Sequence, residues 1–449
     1  MNPLLQDAAA RSILYLDGLA ARSVAPSPEA LANLRAFDLP LPAQPGDPAE
    51  TLRLLDEFGS PATMAMAGPR FFGFVIGGSV PVTLAANWLA GAWDQNAALY
   101  RGTPSAAFLE QVALRWLLEV LQLPPACAGA FVTGATVANL CALAAARHAV
   151  LTRAGWNVEA NGLFGAPPIT VIVGAEAHPS VTKSLGILGL GRTRVVKIPV
   201  DGQGRLIVEQ IPALSGPTIL CAQAGNVNTG SFDHLPAICR VAHAAGAWVH
   251  VDGAFGLWAK AAPSRASHAA GIELADSWAT DAHKWLNVPY DSGLAFVKDP
   301  HALKAAMAIT AEYLPTESEF RNPCDFTPEL SRRARGVEVW AALHALGRAG
   351  LADLIERNCA QARRFAEKLS AAGFEILNEV VLNQVLVAFG DAERTKRVIQ
   401  AIQEDGTCWA GITVWQGRTA MRISVSSWAT TEADVDQSVA AMIRVAGKL

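Results

Sequence analysis

The sequence predicts an α/β protein in which a mainly parallel sheet is wrapped by helices, with a smaller α+β lobe after it. Three observations predict this. Short apolar, β-branched runs recur at "ITVIVG" (169–174), "RVVKIP" (194–199), "TILCAQ" (218–223), "AWVHVDG" (247–253) and "GLAFVK" (293–298). Ala-rich helical stretches separate them, and such alternation is how parallel strands joined by crossover helices read in sequence. Finally, 51% of the 449 residues are hydrophobic and only 17% charged, enough apolar side chain for a large core and little room for disorder.

In chain order, residues 1–75 read as an N-terminal helical segment, 76–330 as the large α/β domain and 331–449 as a small C-terminal α+β domain. Six prolines (26, 28, 40, 42, 45, 48) predict a loop-rich connection after the first helix. Residues 106–123 place Leu109, Val112, Ala113, Trp116, Leu117 and Val120 on one helical stripe. "AFVTGATVANLCALAAARHAV" (130–150) reads as a strand end opening into an Ala-rich helix. After Ser331 come long helices over 332–349 and 351–372, then short strands near 374–389 and 412–426. No internal repeat or low-complexity segment interrupts this order.

Bulk properties exclude several partners. A formal charge of −4 with scattered charges leaves no basic footprint for nucleic acid. No window holds 18 uninterrupted apolar residues, and the richest, 75–93, contains Pro81 and Asn87, so no membrane span is expected. Asp7 and Asp17 break the charge order of a secretory signal. Seven cysteines, odd in number, widely spaced and outside any CxxC pattern, read as reduced thiols of a cytoplasmic protein. No metal-ligand cluster stands out.

The chemistry concentrates in two stretches, "DGAFGLWA" (252–259) and "DAHKWLN" (281–287). Asp252 directly follows the apolar run "WVHV", at the carboxyl end of a strand, where open α/β sheets bind ligands. An aspartate there also serves as a helix cap or turn former. Lys284, between His283 and Trp285, lies in an apolar setting that favours the neutral amine needed for a Schiff base, although most lysines are simply solvated. A carboxylate that keeps a pyridine nitrogen protonated and an amine that bonds an aldehyde together fit pyridoxal 5'-phosphate. Gly134, Ala135 and Thr136 open a helix whose free N–H groups and dipole favour the phosphate; plain helix capping is the other reading. His178 follows the strand 169–173 and suits either a stack on the cofactor ring or a structural role. Asn226 follows the strand 218–223 and suits either a hydrogen bond to the cofactor's phenolic oxygen or a turn.

Taken in order, His178, "GNVNTGSFD" (225–233), "HVDGAFG" (250–256), "DAHKWL" (281–286) and "SRRARGVEVWAALHALGRAG" (331–350) closely resemble the group II pyridoxal-phosphate-dependent amino acid decarboxylases. "GPRFFGFVIGG" (68–78), the helix 106–123 and "MRISVSSWATTEADVD" (421–436) extend the resemblance from about residue 50 to the end. It implies the fold type I architecture of the pyridoxal-phosphate-dependent transferases, as in aspartate aminotransferase. The expected form is a mainly parallel seven-stranded sheet in the large domain, in a homodimer with active sites at the subunit interface. It also implies that Lys284 carries the cofactor, Asp252 partners the pyridinium nitrogen, Ala254 contacts one ring face and His178 stacks on the other. Gly134, Ala135, Thr136 and His283 would hold the phosphate, and Asn226 the phenolic oxygen. Asp281 stands where relatives often carry an asparagine near the phosphate; its carboxylate would repel that anion unless it bonds a backbone N–H instead.

Three departures bear on the outcome. The family's Gly-Gly-Ser-Glu is here Gly134-Ala135-Thr136-Val137, and its Gly-Thr-Thr is Gly225-Asn226-Val227. The loop that in aromatic decarboxylases carries a proton-donating tyrosine is here 315–331, "PTESEFRNPCDFTPELS", without one; the chain's tyrosines are Tyr15, Tyr100, Tyr290 and Tyr313. The expected reaction is decarboxylation of an L-amino acid to its amine and CO2. Phe71, Phe72, Trp88, Trp93 and Tyr100 crowd the segment that lines the substrate entrance in relatives, which favours an aromatic or large apolar substrate over glutamate; plain core is the commoner reading of such rings. The missing tyrosine keeps two other outcomes on the same cofactor in play, an aldehyde synthase and a carbon–carbon lyase acting on a β-hydroxy amino acid. A non-catalytic pyridoxal phosphate binder is the reading from another class.

Overall fold

Seven strands form one sheet: β1 (Ala128–Val132), β2 (Thr170–Gly174), β3 (Val196–Ile198), β4 (Thr218–Gln223), β5 (Trp248–Asp252), β6 (Ser277–Asp281) and β7 (Gly293–Val297). Their order is β1-β7-β6-β5-β4-β2-β3, parallel from β6 to β3, with β7 antiparallel to both neighbours. The computed structural model describes residues 2–309 and 320–449. Strands β1, β4, β5, β6 and β7 are buried along their whole length, the expected result for a sheet with both faces covered by crossover helices. The seven-stranded, mainly parallel sheet of the sequence reading is therefore present. Strand β6, "SWATD", carried no signal in sequence because its polar residues break any apolar run.

Helix α1 (Pro104–Val120) precedes β1, and α2 (Ala135–Arg153) follows it. Helix α2 is the one described helix long and apolar enough to cross a membrane, but it lies in the sheet's core. Ala138, Ala142 and Ala145 are fully buried against Val132, Val173, Ile219 and Ala279, and their small side chains let the helix sit close to the strands. Helix α1 buries Ala106, Ala107, Glu110, Ala113, Leu114, Leu117 and Leu118, a face rotated from the predicted stripe, of which only Ala113 and Leu117 are buried. The reason is Glu110, a charged residue at the centre of the buried face, whose carboxylate pairs with Arg321 at 3.1 Å and Arg332 at 3.0 Å.

The chain divides into two compact units, one of 79–360 with 378–384, the other of 1–78, 361–377 and 385–449. The division at 78/79 lies close to the boundary expected near 75, and the later one falls at 360/361 rather than near 330. Residues 331–360 go with the large sheet, anchored by Arg332, whose guanidinium also reaches the carbonyls of Ala97 (2.8 Å) and Phe131 (2.6 Å). The long helical stretch Gly336–Ala371 is broken at Gly347, whose φ of +59° only glycine adopts without strain, matching the two helices expected there.

In the other unit, Glu375–Ile376, Gln384–Ala388, Gly411–Trp415 and Arg418–Ser424 form a four-stranded sheet in which the first two and the last two strands pair antiparallel. The N-terminal segment packs with it: Phe71 stacks on Trp409 at 5.1 Å, Phe72 meets Phe365 edge-on at 4.9 Å, and Arg70 pairs with Asp434 at 3.2 Å. Phe71 and Phe72 are accordingly core residues, which corrects their placement at a substrate entrance. The proline-rich connection is also more ordered than expected, because Pro28 and Pro48 each sit at the first position of a short helix capped by Ser27 and Asp47.

Candidate active site

The parallel strands β2, β4, β5 and β6 end at one edge of the sheet, and each delivers a residue singled out in sequence. Asp252 is the last residue of β5 and Asp281 the last of β6. His178 follows β2, Asn226 follows β4, and Gly134-Ala135-Thr136 opens α2 after β1. Parallel pairing sets Gln223 beside Asp252 and Asp252 beside Ala279, so these loops meet at the same level.

Two groups of contacts result. In the first, Asp281 is the hub: its Oδ2 lies 2.9 Å from Lys284 Nζ, its Oδ1 accepts the Ala135 N–H at 2.5 Å, and His283 Nε2 stands 3.5 Å away. Asp281 thus takes the backbone partner that the sequence reading offered as the alternative to repelling phosphate. The same bond corrects the role expected of Ala135, whose N–H is engaged by Asp281, leaving the helix-opening amides of Thr136 and Val137, which precede the first intrahelical bond, for an anion. Lys284 likewise has a carboxylate partner that its apolar sequence neighbours gave no hint of.

His283 accepts the Ser292 N–H through Nδ1 at 3.0 Å and stacks on Tyr290 at 4.3 Å. Burial holds the His283 imidazole below its ordinary value, against the opposing pull of Asp281. Partial desolvation, aided by Asp281, pushes the half-exposed Tyr290 phenol up to about 12, so it stays protonated. Gly134 lies against His283 and Asp281: a Cβ there would stand 3.3 Å from His283 Cε1, and one on Gly293 would strike the Gly134 backbone at 2.4 Å. The tight approach of these backbones shapes the cradle at the start of α2.

The second group centres on Asp252, which is buried. Its Oδ1 accepts the Ala254 N–H at 3.1 Å, and its Oδ2 accepts from Asn139 Nδ2 and Ser180 Oγ, each at 3.3 Å. His178 caps the helix α3 (Pro179–Ile187), its Nδ1 accepting the Ser180 N–H at 3.3 Å and lying 2.8 Å from Ser180 Oγ. Ala254 joins the two groups, because its carbonyl accepts the Asp281 N–H at 2.9 Å. Asn139, Ser180, His250 and Ser277 belong to this second group and escaped the sequence reading. The available signal was strand alternation, which puts His250 and Asp252 on one face of β5.

Asn226 makes the turn read from its sequence context and keeps a donor for the other reading. Its Oδ1 accepts the Asn228 and Thr229 N–H groups at 2.9 and 3.2 Å, a turn, while its buried Nδ2 has no partner among the described residues. A buried donor without an acceptor is costly and calls for a ligand atom. Pyridoxal phosphate fits the set on that observation: an orphaned amide for its phenolic oxygen, a buried carboxylate for its ring nitrogen, an amine for its aldehyde, and free helix-opening N–H groups for its phosphate. Among the described residues no group of His, Cys, Asp and Glu could hold a metal ion.

The pyridoxal-dependent decarboxylase conserved domain matches residues 57–390. Tryptophan decarboxylase 1 of Oryza sativa subsp. japonica is 27% identical over 84% of this chain and 80% of its own length. L-2,4-diaminobutyrate decarboxylase of Rhizobium meliloti (strain 1021) is 30% identical over 76% of this chain and 70% of its own. Among solved structures, Oryza sativa TDC with PLP and tryptamine superposes with a TM-score of 0.90 at 23% identity, covering 99% of this chain and 97% of that one, a likeness of fold. With the family domain running from the N-terminal segment through the whole sheet and its site, this chain belongs to the pyridoxal-dependent decarboxylases.

Proposed function

We propose that the amino acid decarboxylated here is aromatic or large and apolar, and that the site residues divide the work as follows. The family fixes the reaction as pyridoxal-phosphate-dependent removal of the carboxyl group of an amino acid as CO2, the work of a carboxy-lyase. When bound, the cofactor supplies an electron sink for the pair left at Cα as CO2 departs. Lys284 Nζ is the amine that holds the aldehyde carbon and yields it to the substrate's amine. Asp252 holds a proton on the ring nitrogen, while His178 and Ala254 confine the ring from its two faces. Gly134, Thr136 and His283 hold the phosphate, Asp281 orients Ala135 and Lys284 beside it, and Asn226 donates Nδ2 to the phenolic oxygen.

The observation that carries the reading is the pairing of one buried acid and one amine at the ends of neighbouring strands, linked through Ala254. Substrate preference rests on less. It is supported by the rice tryptophan decarboxylase relative and by an aromatic cluster in the large unit, where Tyr100 stacks on Phe320 at 4.2 Å and Phe108 meets Phe320 edge-on at 6.3 Å. Purified protein incubated with pyridoxal phosphate and each of the twenty amino acids should release CO2 and an amine, fastest from tryptophan, tyrosine or phenylalanine. Fastest release from an acidic or basic amino acid would refute the preference, and no CO2 from any would refute the reaction.

A second reading is favoured by one feature: residues 315–331 hold no tyrosine, although 315–319, like Tyr313, lie outside the described residues. Without a fast proton donor at Cα the electron pair is open to O2, and the products become an aldehyde, ammonia and hydrogen peroxide. His178, Tyr290 or water is then the donor that sustains the amine outcome. Peroxide formed in step with CO2 supports the second reading; its absence supports the first.

A homodimer in the cytoplasm completes the proposal. Leu5, Ile13 and Leu14 of the first helix and Trp88, Leu89 and Trp93 of the helix Pro81–Trp93 are exposed in the single chain, apolar surface that a second copy would cover. All seven cysteines are buried and none is in a disulfide, as a reducing compartment keeps them.

A further inference from the structure

Behind Asp252 runs a chain of buried side chains that the decarboxylation scheme does not use. Trp248, His250 and Asp252 alternate along β5 and therefore share the face covered by α2, from which Asn139 projects to Asp252. Asn139, His250 and Ser277 are completely buried.

Chemistry fixes the direction of every bond. An ionised carboxylate only accepts, so Asn139 must present Nδ2 to Asp252 Oδ2, at 3.3 Å, and turn Oδ1 toward His250. That oxygen lies 2.8 Å from His250 Nε2 and also only accepts, so Nε2 carries the proton. Nδ1 of the neutral ring is then an acceptor for the Ser277 hydroxyl at 3.0 Å, and Ser277 Oγ in turn accepts the Trp248 indole N–H at 2.9 Å. All four bonds donate toward Asp252. Aligned hydrogen bonds polarise one another in a medium of low dielectric, which strengthens the last of them. Burial pushes His250 down to about 4, so the chain stays uncharged at neutral pH and offers no rival proton to the carboxylate.

We propose that Asn139, His250 and Ser277 are positioning residues that keep the Asp252 carboxylate ionised and fixed in orientation toward the cofactor's ring nitrogen. The proposal rests on the reading that Asp252 faces that nitrogen. Neither Asn139 nor His250 touches the reacting atoms; each acts through Asp252.

The test uses holoenzyme reconstituted with pyridoxal phosphate carrying 15N in the ring, whose resonance reports protonation of that nitrogen. Wild type should give the protonated resonance and Asp252→Asn the unprotonated one. Asn139→Leu and His250→Leu should move the resonance toward the unprotonated position and lower kcat about 10- to 100-fold, the cost of a lost buried hydrogen bond to a charged group. KM should change little. His250→Gln, whose amide N–H can still reach Asn139 Oδ1, should restore most of both readouts, a rescue that a merely structural role would not predict. Should the leucine variants fail to fold, Ser277→Ala removes only the outer donor and should shift the resonance less, in the same direction. Wild-type resonance and kcat in the folded Asn139, His250 and Ser277 variants, with Asp252→Asn still shifted, would overturn the proposal alone. An unshifted Asp252→Asn would overturn the reading of Asp252 beneath it.

Discussion

At Asp281 a carboxylate stands beside the cradle expected to hold a phosphate, and it is stabilised there by the Ala135 N–H and the Lys284 ammonium. Its charge opposes an anion bound at the start of α2, a few ångströms away. Asp281→Asn keeps an oxygen for Ala135 and removes the charge. Equilibrium dialysis should therefore show pyridoxal phosphate bound about 10-fold more tightly by the variant. Weaker binding would mean that the ion pair with Lys284 organises the site more than the charge disturbs it. At this scale the sequence was informative about placement, since Lys284, His178 and Asp252 all fall where the strand-end loops meet. It was silent where a residue acts only through a distant partner. Nothing in "WVHVD" says that His250 will meet Asn139, 111 residues earlier, because that meeting is made by the packing of α2 on β5.

Among the elements, α1 shows how a charge can organise a core. Glu110 stands on the buried face of α1 and neutralises two arginines of the segment 320–335, Arg321 and Arg332, both nearly withdrawn from water. Removing one member of a buried ion cluster leaves the others uncompensated. Glu110→Ala should lower unfolding free energy by about 3–5 kcal/mol, read from chemical denaturation, while Glu119→Ala on the exposed side of the same helix should cost under about 1 kcal/mol. Equal losses would show that the cluster contributes no more than a surface pair. The same residue explains why the apolar stripe of α1 was misread in sequence: periodicity scores a buried glutamate as solvent-facing. Strand β6 was missed for the parallel reason, since Ser277, Thr280 and Asp281 are buried polar residues held by hydrogen bonds rather than by hydrophobic pattern. The strands β2, β4, β5 and β7, being apolar, were legible almost to the residue.

Across the whole molecule, buried titratable groups couple the site to stability. His250 ionises near 6.5 when unfolded and near 4 in the folded chain, so between those values the unfolded state binds more protons and stability falls as pH falls. Asp233 works the other way: burial raises it from 3.8 to about 6, so its contribution is lost as pH rises through that window, and the two effects oppose one another. The isolated effect appears in a difference. Stability of wild type minus His250→Gln, measured by denaturation, should rise by about 1.4 kcal/mol per pH unit between pH 4 and 6.5 and level off above it. A flat difference would show that His250 titrates normally.

The chemistry of the site depends above all on Lys284 carrying the cofactor. The most direct measurement is to load the protein with pyridoxal phosphate, reduce it with borohydride, digest it and map the modified lysine by mass spectrometry. One stoichiometric adduct is expected, on the peptide containing Lys284, with loss of that adduct and of the bound cofactor's visible absorbance in Lys284→Ala. An adduct on another lysine, or full absorbance in Lys284→Ala, would contradict that role of Lys284.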